Sequence, residues 1–152
     1  GQMAAFAVDP VGLTDDPAAV DALIDRVCEA AAKDTVLVYS TAEPDAVRTV
    51  QEKLGRERAA AVIEAAMARV AGALVERAEV RRLVVAGGET AGAVIGELGV
   101  SALRIGPEIA PGVPWTTSEG EPKMAFALKS GNFGGEHFFT RALDMLDKEA
   151  AS

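Results

Sequence analysis

The sequence predicts an α/β protein of the three-layer αβα type, with a mainly parallel sheet covered by helices on both faces. Apolar, strand-like runs alternate with helical segments along the 152 residues. The strands are continuous apolar runs, which is typical of strands buried on both faces. Two of them lead through glycine-rich turns directly into helices, at the edge where such sheets bind ligands. We therefore expect one domain over residues 1–152.

The first half of the chain is predicted to contain two strands and three helices. Asp9-Pro10 ends the first strand, and Thr14 or Asp15 can cap the helix that follows. Apolar residues from Val62 to Val75 recur at helical spacing, which predicts a packing helix with one apolar stripe. The predicted elements are strands 4–8 and 35–40 and helices from 14 or 15 to about 33, from 41 to about 54, and from about 56 to 77.

The second half is predicted to contain three strands and two helices. Gly99 is a natural residue to end the first of these helices. The segment Gly106–Trp115 is expected to be a loop, because prolines block both helix and central strand. Trp115 either closes the core or packs over a base or another domain. The predicted elements are strands 82–86, 102–105 and 125–130, a helix from the first glycine turn to about 98, and a helix from 136 to 148.

Composition and charge exclude several classes of protein. A net charge of −8 disfavours a nucleic-acid partner, because the phosphate backbone would be repelled. No apolar run approaches the ~18 residues that a membrane span needs. The single cysteine, Cys28, lies in a helical pattern and is expected to be a packed, unreactive thiol. It fits a reducing compartment, and with no signal peptide legible we expect a cytoplasmic protein.

The first glycine turn follows the strand 82–86. Gly87 and Gly88 precede Glu89 and Thr90 at the start of a helix, where unpaired N–H groups and the helix dipole favour an anion. Thr90 either caps this helix or contacts a phosphate with its hydroxyl. Glu89 either complements the dipole or helps to hold Mg²⁺ through water. Taken alone, the turn is equally compatible with a tight connection that needs glycine only for its dihedral angles.

The second glycine turn follows the predicted strand 125–130, and Lys129 lies at the end of that strand. Three glycines lie among the five residues Gly131–Gly135, more than a plain strand–helix connection requires. The Lys129 ammonium either neutralises phosphate or is simply a charge at the mouth of the strand. His137, the only histidine, is an acid–base group, a phosphate contact, or a surface or packing residue, and we expect the last of these. With one histidine and one cysteine, we expect no transition-metal site.

Two such turns in one small α/β chain indicate a polyphosphate site, most simply a site for a nucleotide. The first turn lacks the Gly-x-x-x-x-Gly-Lys-Ser/Thr pattern of a Walker loop. It also lacks Gly-x-Gly-x-x-Gly, which disfavours a standard dinucleotide-binding fold.

Three segments resemble the four-carbon acid sugar kinase family, which includes the 3-oxo-tetronate kinases and has also been labelled as Hrp-dependent outer proteins or type III effectors. They are Val85–Gly92, Arg104–Trp115 and Leu128–Gly135, in family-like order and spacing. The resemblance covers the carboxy-terminal, nucleotide-binding half of such a kinase. It implies that the amino-terminal, sugar-binding domain is absent, which fits a chain that opens almost directly on a strand. The base that activates the hydroxyl is expected in that other half, so no catalytic residue is assigned here.

The resemblance implies that ATP, with Mg²⁺, donates its γ-phosphoryl group to a hydroxyl of a four-carbon sugar acid. Expected partners are ATP or ADP, the amino-terminal domain, the sugar acid through that domain, and another copy in a homo-oligomer. Alternatives are an effector or interaction domain without catalysis, and a stand-alone binder of a nucleotide or phosphorylated metabolite. The family often has serine at the position of Ala91. The turns and the resemblance together assign nucleotide contacts to Gly87, Gly88, Glu89, Thr90, Lys129, Ser130, Gly131, Asn132, Phe133 and Gly134.

Overall fold

The computed structural model describes residues 3–40, 44–131 and 134–150. The chain divides into two compact units, residues 1–80 and 81–152. Both units combine helices with a sheet, so the predicted α/β class is confirmed.

The first unit contains two parallel strands and four helices within its described residues. Asp9 caps the first helix, since its carboxylate accepts a hydrogen bond from the Val11 N–H at 3.1 Å. A helix starting at Thr14 or Asp15 was therefore the wrong expectation, because two helices separated by residues 16–18 occupy this stretch. The elements are β1 (Ala4–Ala7), α1 (Pro10–Asp15), α2 (Ala19–Ala31), β2 (Val36–Tyr39), α3 (Pro44–Leu54) and α4 (Arg56–Arg77).

The core of the first unit lies where α2 meets α4. Val27 is fully buried there, among apolar side chains of both helices. Two ion pairs flank this contact, Asp21 with Arg69 and Asp25 with Arg77, each at 2.7 Å between carboxylate oxygen and guanidinium nitrogen. The packing role predicted for α4 is confirmed by this arrangement.

The second unit contains a sheet whose described strands lie in the order β3-β6-β5-β4. The pair β3–β6 is parallel, as β1–β2 is, whereas β5 pairs antiparallel with both of its neighbours. The elements are β3 (Arg82–Ala86), α5 (Gly88–Glu97), β4 (Leu103–Ala110), β5 (Val113–Ser118), β6 (Ala125–Lys129) and α6 (Phe138–Ala150).

The segment Gly106–Trp115, expected to be a loop, is instead most of an antiparallel hairpin formed by β4 and β5. Its prolines are tolerated because of where they fall. Pro107 lies on the edge strand, at a register irregularity, and Pro114 lies beyond the residues of β5 that pair with β6. The connection turns at Gly112, which has φ of +78° and donates its N–H to the Glu108 carboxylate at 2.8 Å.

Trp115 lies on β5 and closes the core between the sheet and α6. Its side chain is 3% exposed, and its Nε1–H donates to the Ala142 carbonyl at 2.8 Å. Ala127, next to it on β6, is buried against the same helix. Side chains alternate along a strand, so Phe126 faces the other side of the sheet, where it is fully buried. The helix α5 contacts β3 and β6.

Candidate nucleotide-binding site

The two glycine turns lie side by side. In the parallel pair β3–β6, Ala86 is the register partner of Lys129, so both strands end at the same edge of the sheet. The next residue after β3, Gly87, donates its N–H to the Lys129 carbonyl at 2.8 Å. The structure therefore brings together the two turns that the sequence had placed at strand carboxyl ends.

The first turn leaves the start of α5 open. Gly87 is the cap residue, has φ of +110° and provides no side-chain hydrogen bond to the helix. A β-carbon at Gly88 would meet no atom within 4 Å, and this residue is exposed. The N–H groups of a first helical turn have no acceptor within the helix, and they carry the positive end of its dipole. This end of α5 is thus open to an anion.

Thr90 and Glu89 lie within the first turn of α5. The prediction that Thr90 caps the helix was wrong, because the cap position is held by Gly87 and Thr90 is already helical. Its hydroxyl oxygen would lie 3.5 Å from a β-carbon on Gly87. The half-buried side chain of Thr90 therefore lies next to the first turn. Glu89 is exposed, and its carboxylate complements the helix dipole.

Lys129 contacts the start of the second turn. This half-buried residue donates from Nζ to the Gly131 carbonyl at 3.0 Å, and Nζ lies 5.7 Å from the centroid of the Phe138 ring. Ser130 and Gly131 are exposed next to it. The predicted contacts at residues 132 and 133, Asn132 and Phe133, lie outside the described residues.

Gly134 has a structural reason to be glycine. Its φ is +81°, and a β-carbon there would approach Cδ2 of Phe138 to 2.5 Å. Gly135 is exposed, and its carbonyl accepts the Phe138 N–H at 3.0 Å. His137 directly precedes α6 instead of lying inside it, and its exposed position agrees with the surface interpretation.

Phe138 is the residue of this site that the sequence interpretation missed. It is 3% exposed and packs in the core with Trp115 and Ala142, while its ring also faces Lys129 and Gly134. An aromatic residue at the start of a helix that directly follows a glycine loop was the available signal.

No group of three or more His, Cys, Asp or Glu residues suited to a metal ion occurs in the described part of the chain. Across residues 3–40, 44–131 and 134–150, no helix combines the length and apolarity that a membrane span requires.

A family model described as "Nucleotide-binding C-terminal domain" matches residues 1–139. The chain belongs to this family. It is 52% identical to the 3-oxo-tetronate kinase of Methylobacterium radiotolerans over 151 residues, and 49% identical to that of Cupriavidus necator over 142 residues. These matches cover 94% and 93% of this chain but 35% and 32% of the relatives.

Among solved structures, the chain is similar to a Haemophilus influenzae protein of the DUF1537 family. The TM-score is 0.85 at 35% identity, over 95% of this chain and 35% of that one. The resemblance drawn from the three motifs is therefore confirmed. The chain spans about a quarter to a third of the length of the curated relatives it matches first.

Proposed function

We propose that this chain binds ATP at the two glycine turns and forms the nucleotide-binding half of a kinase. The complete protein would transfer the γ-phosphoryl group to a hydroxyl of a four-carbon sugar acid of the 3-oxo-tetronate type. Family membership and relatives named 3-oxo-tetronate kinase support this proposal. The sugar-acid site and the base that activates the hydroxyl are assigned to the rest of the longer protein, which acts in the cytoplasm.

The observation that carries the proposal is the adjacency of the two turns through the Gly87–Lys129 hydrogen bond. A phosphate chain needs several donors directed at one place, and two turns at one sheet edge supply them. The open space at Gly88 lets phosphate oxygens approach the backbone N–H groups of α5. Ser130 and Gly131 then border the ligand from the second turn. The work of these residues is to bind and orient the nucleotide, which is the main demand of phosphoryl transfer.

Mg²⁺ fits this site as an ion that arrives with the nucleotide. Magnesium keeps several waters and is usually held by one or two carboxylates together with substrate phosphates. Glu89 supplies an exposed carboxylate in the first turn of α5, within the same turn as Gly88. When bound, the ion neutralises charge on the phosphates, while the chain holds the nucleotide in place.

The test is calorimetric titration of the chain with adenosine, AMP, ADP and ATP, with and without Mg²⁺. We expect affinity to rise with the number of phosphates, because the donors at both turns bind phosphate rather than base. The full-length protein should then phosphorylate four-carbon 3-oxo acids with ATP. Equal affinities for adenosine and ATP would contradict a phosphate site, and so would the absence of binding by both the chain and the full-length protein.

A further inference from the structure

The ammonium of Lys129 is directed at its own turn and at an aromatic ring. Nζ bonds the Gly131 carbonyl at 3.0 Å, and a second carbonyl, that of Ser130, lies at 3.5 Å. Nζ also lies 5.7 Å from the centroid of the Phe138 ring, within the range of a cation–π contact. Carbonyl oxygens and a ring face together solvate the cation.

Phe138 contacts the turn from a position that is fixed by core packing. Its side chain is packed in the core of the second unit, beside Trp115 and Ala142. The ring faces Lys129, at the beginning of the turn, and lies against Gly134, near the end of the turn. Lys129 and Gly134, on either side of the turn, therefore both lie close to the same buried ring.

We propose that Lys129 is a positioning residue, which fastens the start of the second glycine turn, at Ser130 and Gly131, to Phe138 so that these two residues are preformed for the nucleotide. This inference rests on the proposed function only where it predicts that Lys129 affects the affinity for ATP. Lys129 acts through the Gly131 carbonyl and the Phe138 ring, and not as the counter-charge of a phosphate. Preorganisation of this kind improves affinity by reducing the ordering cost of binding.

A double-mutant cycle on ATP affinity tests the coupling, with Lys129→Met, Phe138→Leu and the double variant. Methionine keeps most of the aliphatic stem but removes the ammonium, and leucine keeps an apolar side chain but removes the ring. We expect each single change to weaken ATP binding by roughly threefold to tenfold, and the double variant to be no weaker than the weaker single variant. Lys129→Arg, which retains a cation and donors, should remain within about twofold of the original chain. Additive losses in the cycle would overturn the proposal.

Salt dependence separates this role from a direct ion pair. If Lys129 met phosphate, Lys129→Met would make ATP binding less sensitive to KCl, because one charge contact would be lost. We expect the original chain and Lys129→Met to lose affinity in parallel as KCl rises. A flatter dependence in the variant would identify Lys129 as a phosphate ligand and reject the positioning role.

A measurement without nucleotide keeps this inference distinct from the proposed function. In the ligand-free protein, we expect Lys129→Met to lower the ¹⁵N–¹H heteronuclear NOE of the Gly131 amide, while the amide of Gly96, distant on α5, is unchanged. An unchanged value at Gly131 overturns the inference even if ATP binds. If the original chain fails to bind ATP but Gly131 responds, the proposed function fails and the fastening of the turn stands. Thermal melts of each variant show whether Phe138→Leu has altered the fold, and Lys129→Met alone still decides the question.

Discussion

The N–H of Gly87 donates to the carbonyl of Lys129 across 2.8 Å, and this bond connects the first residue beyond β3 with the last residue of β6. It extends the parallel ladder by one step past the end of β3. Because the bond fixes the backbone at the start of both turns, the donors of one turn are held beside those of the other. The candidate site therefore depends on two adjacent strands and not on either turn alone.

Replacing Gly88 by valine tests whether the open space at the start of α5 is used by the ligand. A β-carbon there would meet nothing within 4 Å, so the fold should tolerate the change, but the side chain would occupy the approach to the backbone N–H groups. We expect Gly88→Val to weaken ATP binding by at least about tenfold, measured by calorimetry. Gly96→Val is the matched control, because Gly96 is also exposed on α5 and its β-carbon would also meet open space. Equal affinity in the two variants would show that the first turn has only a structural role.

Gly134→Ala should destabilise the protein whether or not nucleotide is present. The residue has φ of +81°, and its new β-carbon would collide with the buried Phe138 ring. We expect a loss of about 1–3 kcal/mol in the free energy of unfolding, measured by urea denaturation. Gly135→Ala is the control, since its β-carbon would meet nothing within 4 Å. A loss of equal size in both variants would argue against the contact with Phe138.

The strand–turn–helix units were predictable because their signals are local. An apolar run followed by glycines indicates a tight turn wherever the strand lies in the sheet, and the structure has Gly87 at φ +110° and Gly134 at φ +81°. Parallel pairing also predicted that β3 and β6 have their carboxyl ends at the same edge of the sheet. Which strands are neighbours did not follow, because the order β3-β6-β5-β4 depends on contacts distant in sequence.

The errors in the sequence interpretation have specific causes. Proline usually predicts an interruption of a strand, but Pro107 lies on an edge strand, where a missing N–H costs no ladder bond. Threonine is a common capping residue, which favours Thr90 as the cap, yet Gly87 holds the cap position of α5. The role of Phe138 was not visible, because it depends on a ring reaching back to residues on both ends of the turn.

Trp115→Phe should weaken the packing of α6 on the sheet. Phenylalanine keeps an aromatic ring in the core but removes the Nε1–H that donates to the Ala142 carbonyl at 2.8 Å. We expect the free energy of unfolding to fall by about 1–3 kcal/mol, since a buried hydrogen bond and some volume are lost. Urea unfolding followed by circular dichroism measures this change without relying on tryptophan fluorescence. Unchanged stability would mean that the hydrogen bond from Trp115 to Ala142 makes no net contribution to the free energy of unfolding.

Cys28 provides a test based on pH. Burial in α2 raises the pKa of its thiol above the ordinary value of 9.0, although the nearby Arg77 guanidinium opposes the shift and Asp25 adds to it. At a pH between 9.0 and the higher folded pKa, the unfolded chain loses this proton while the folded chain keeps it. The contribution of Cys28 to stability is therefore fully present below the unfolded pKa and is lost as pH rises through the folded pKa.

We expect the free energy of unfolding to fall more steeply between about pH 8 and pH 10 in the original chain than in Cys28→Ala, which has no thiol to titrate. Urea denaturation of both proteins in the presence of a reductant gives the two pH profiles, and other titrating groups cancel in their difference. Iodoacetamide should also modify the folded chain slowly and the urea-unfolded chain rapidly, because the reactive thiolate is scarce in the buried site. A constant difference between the two pH profiles, or rapid modification of the folded chain, would contradict the conclusion that burial raises the pKa of the Cys28 thiol.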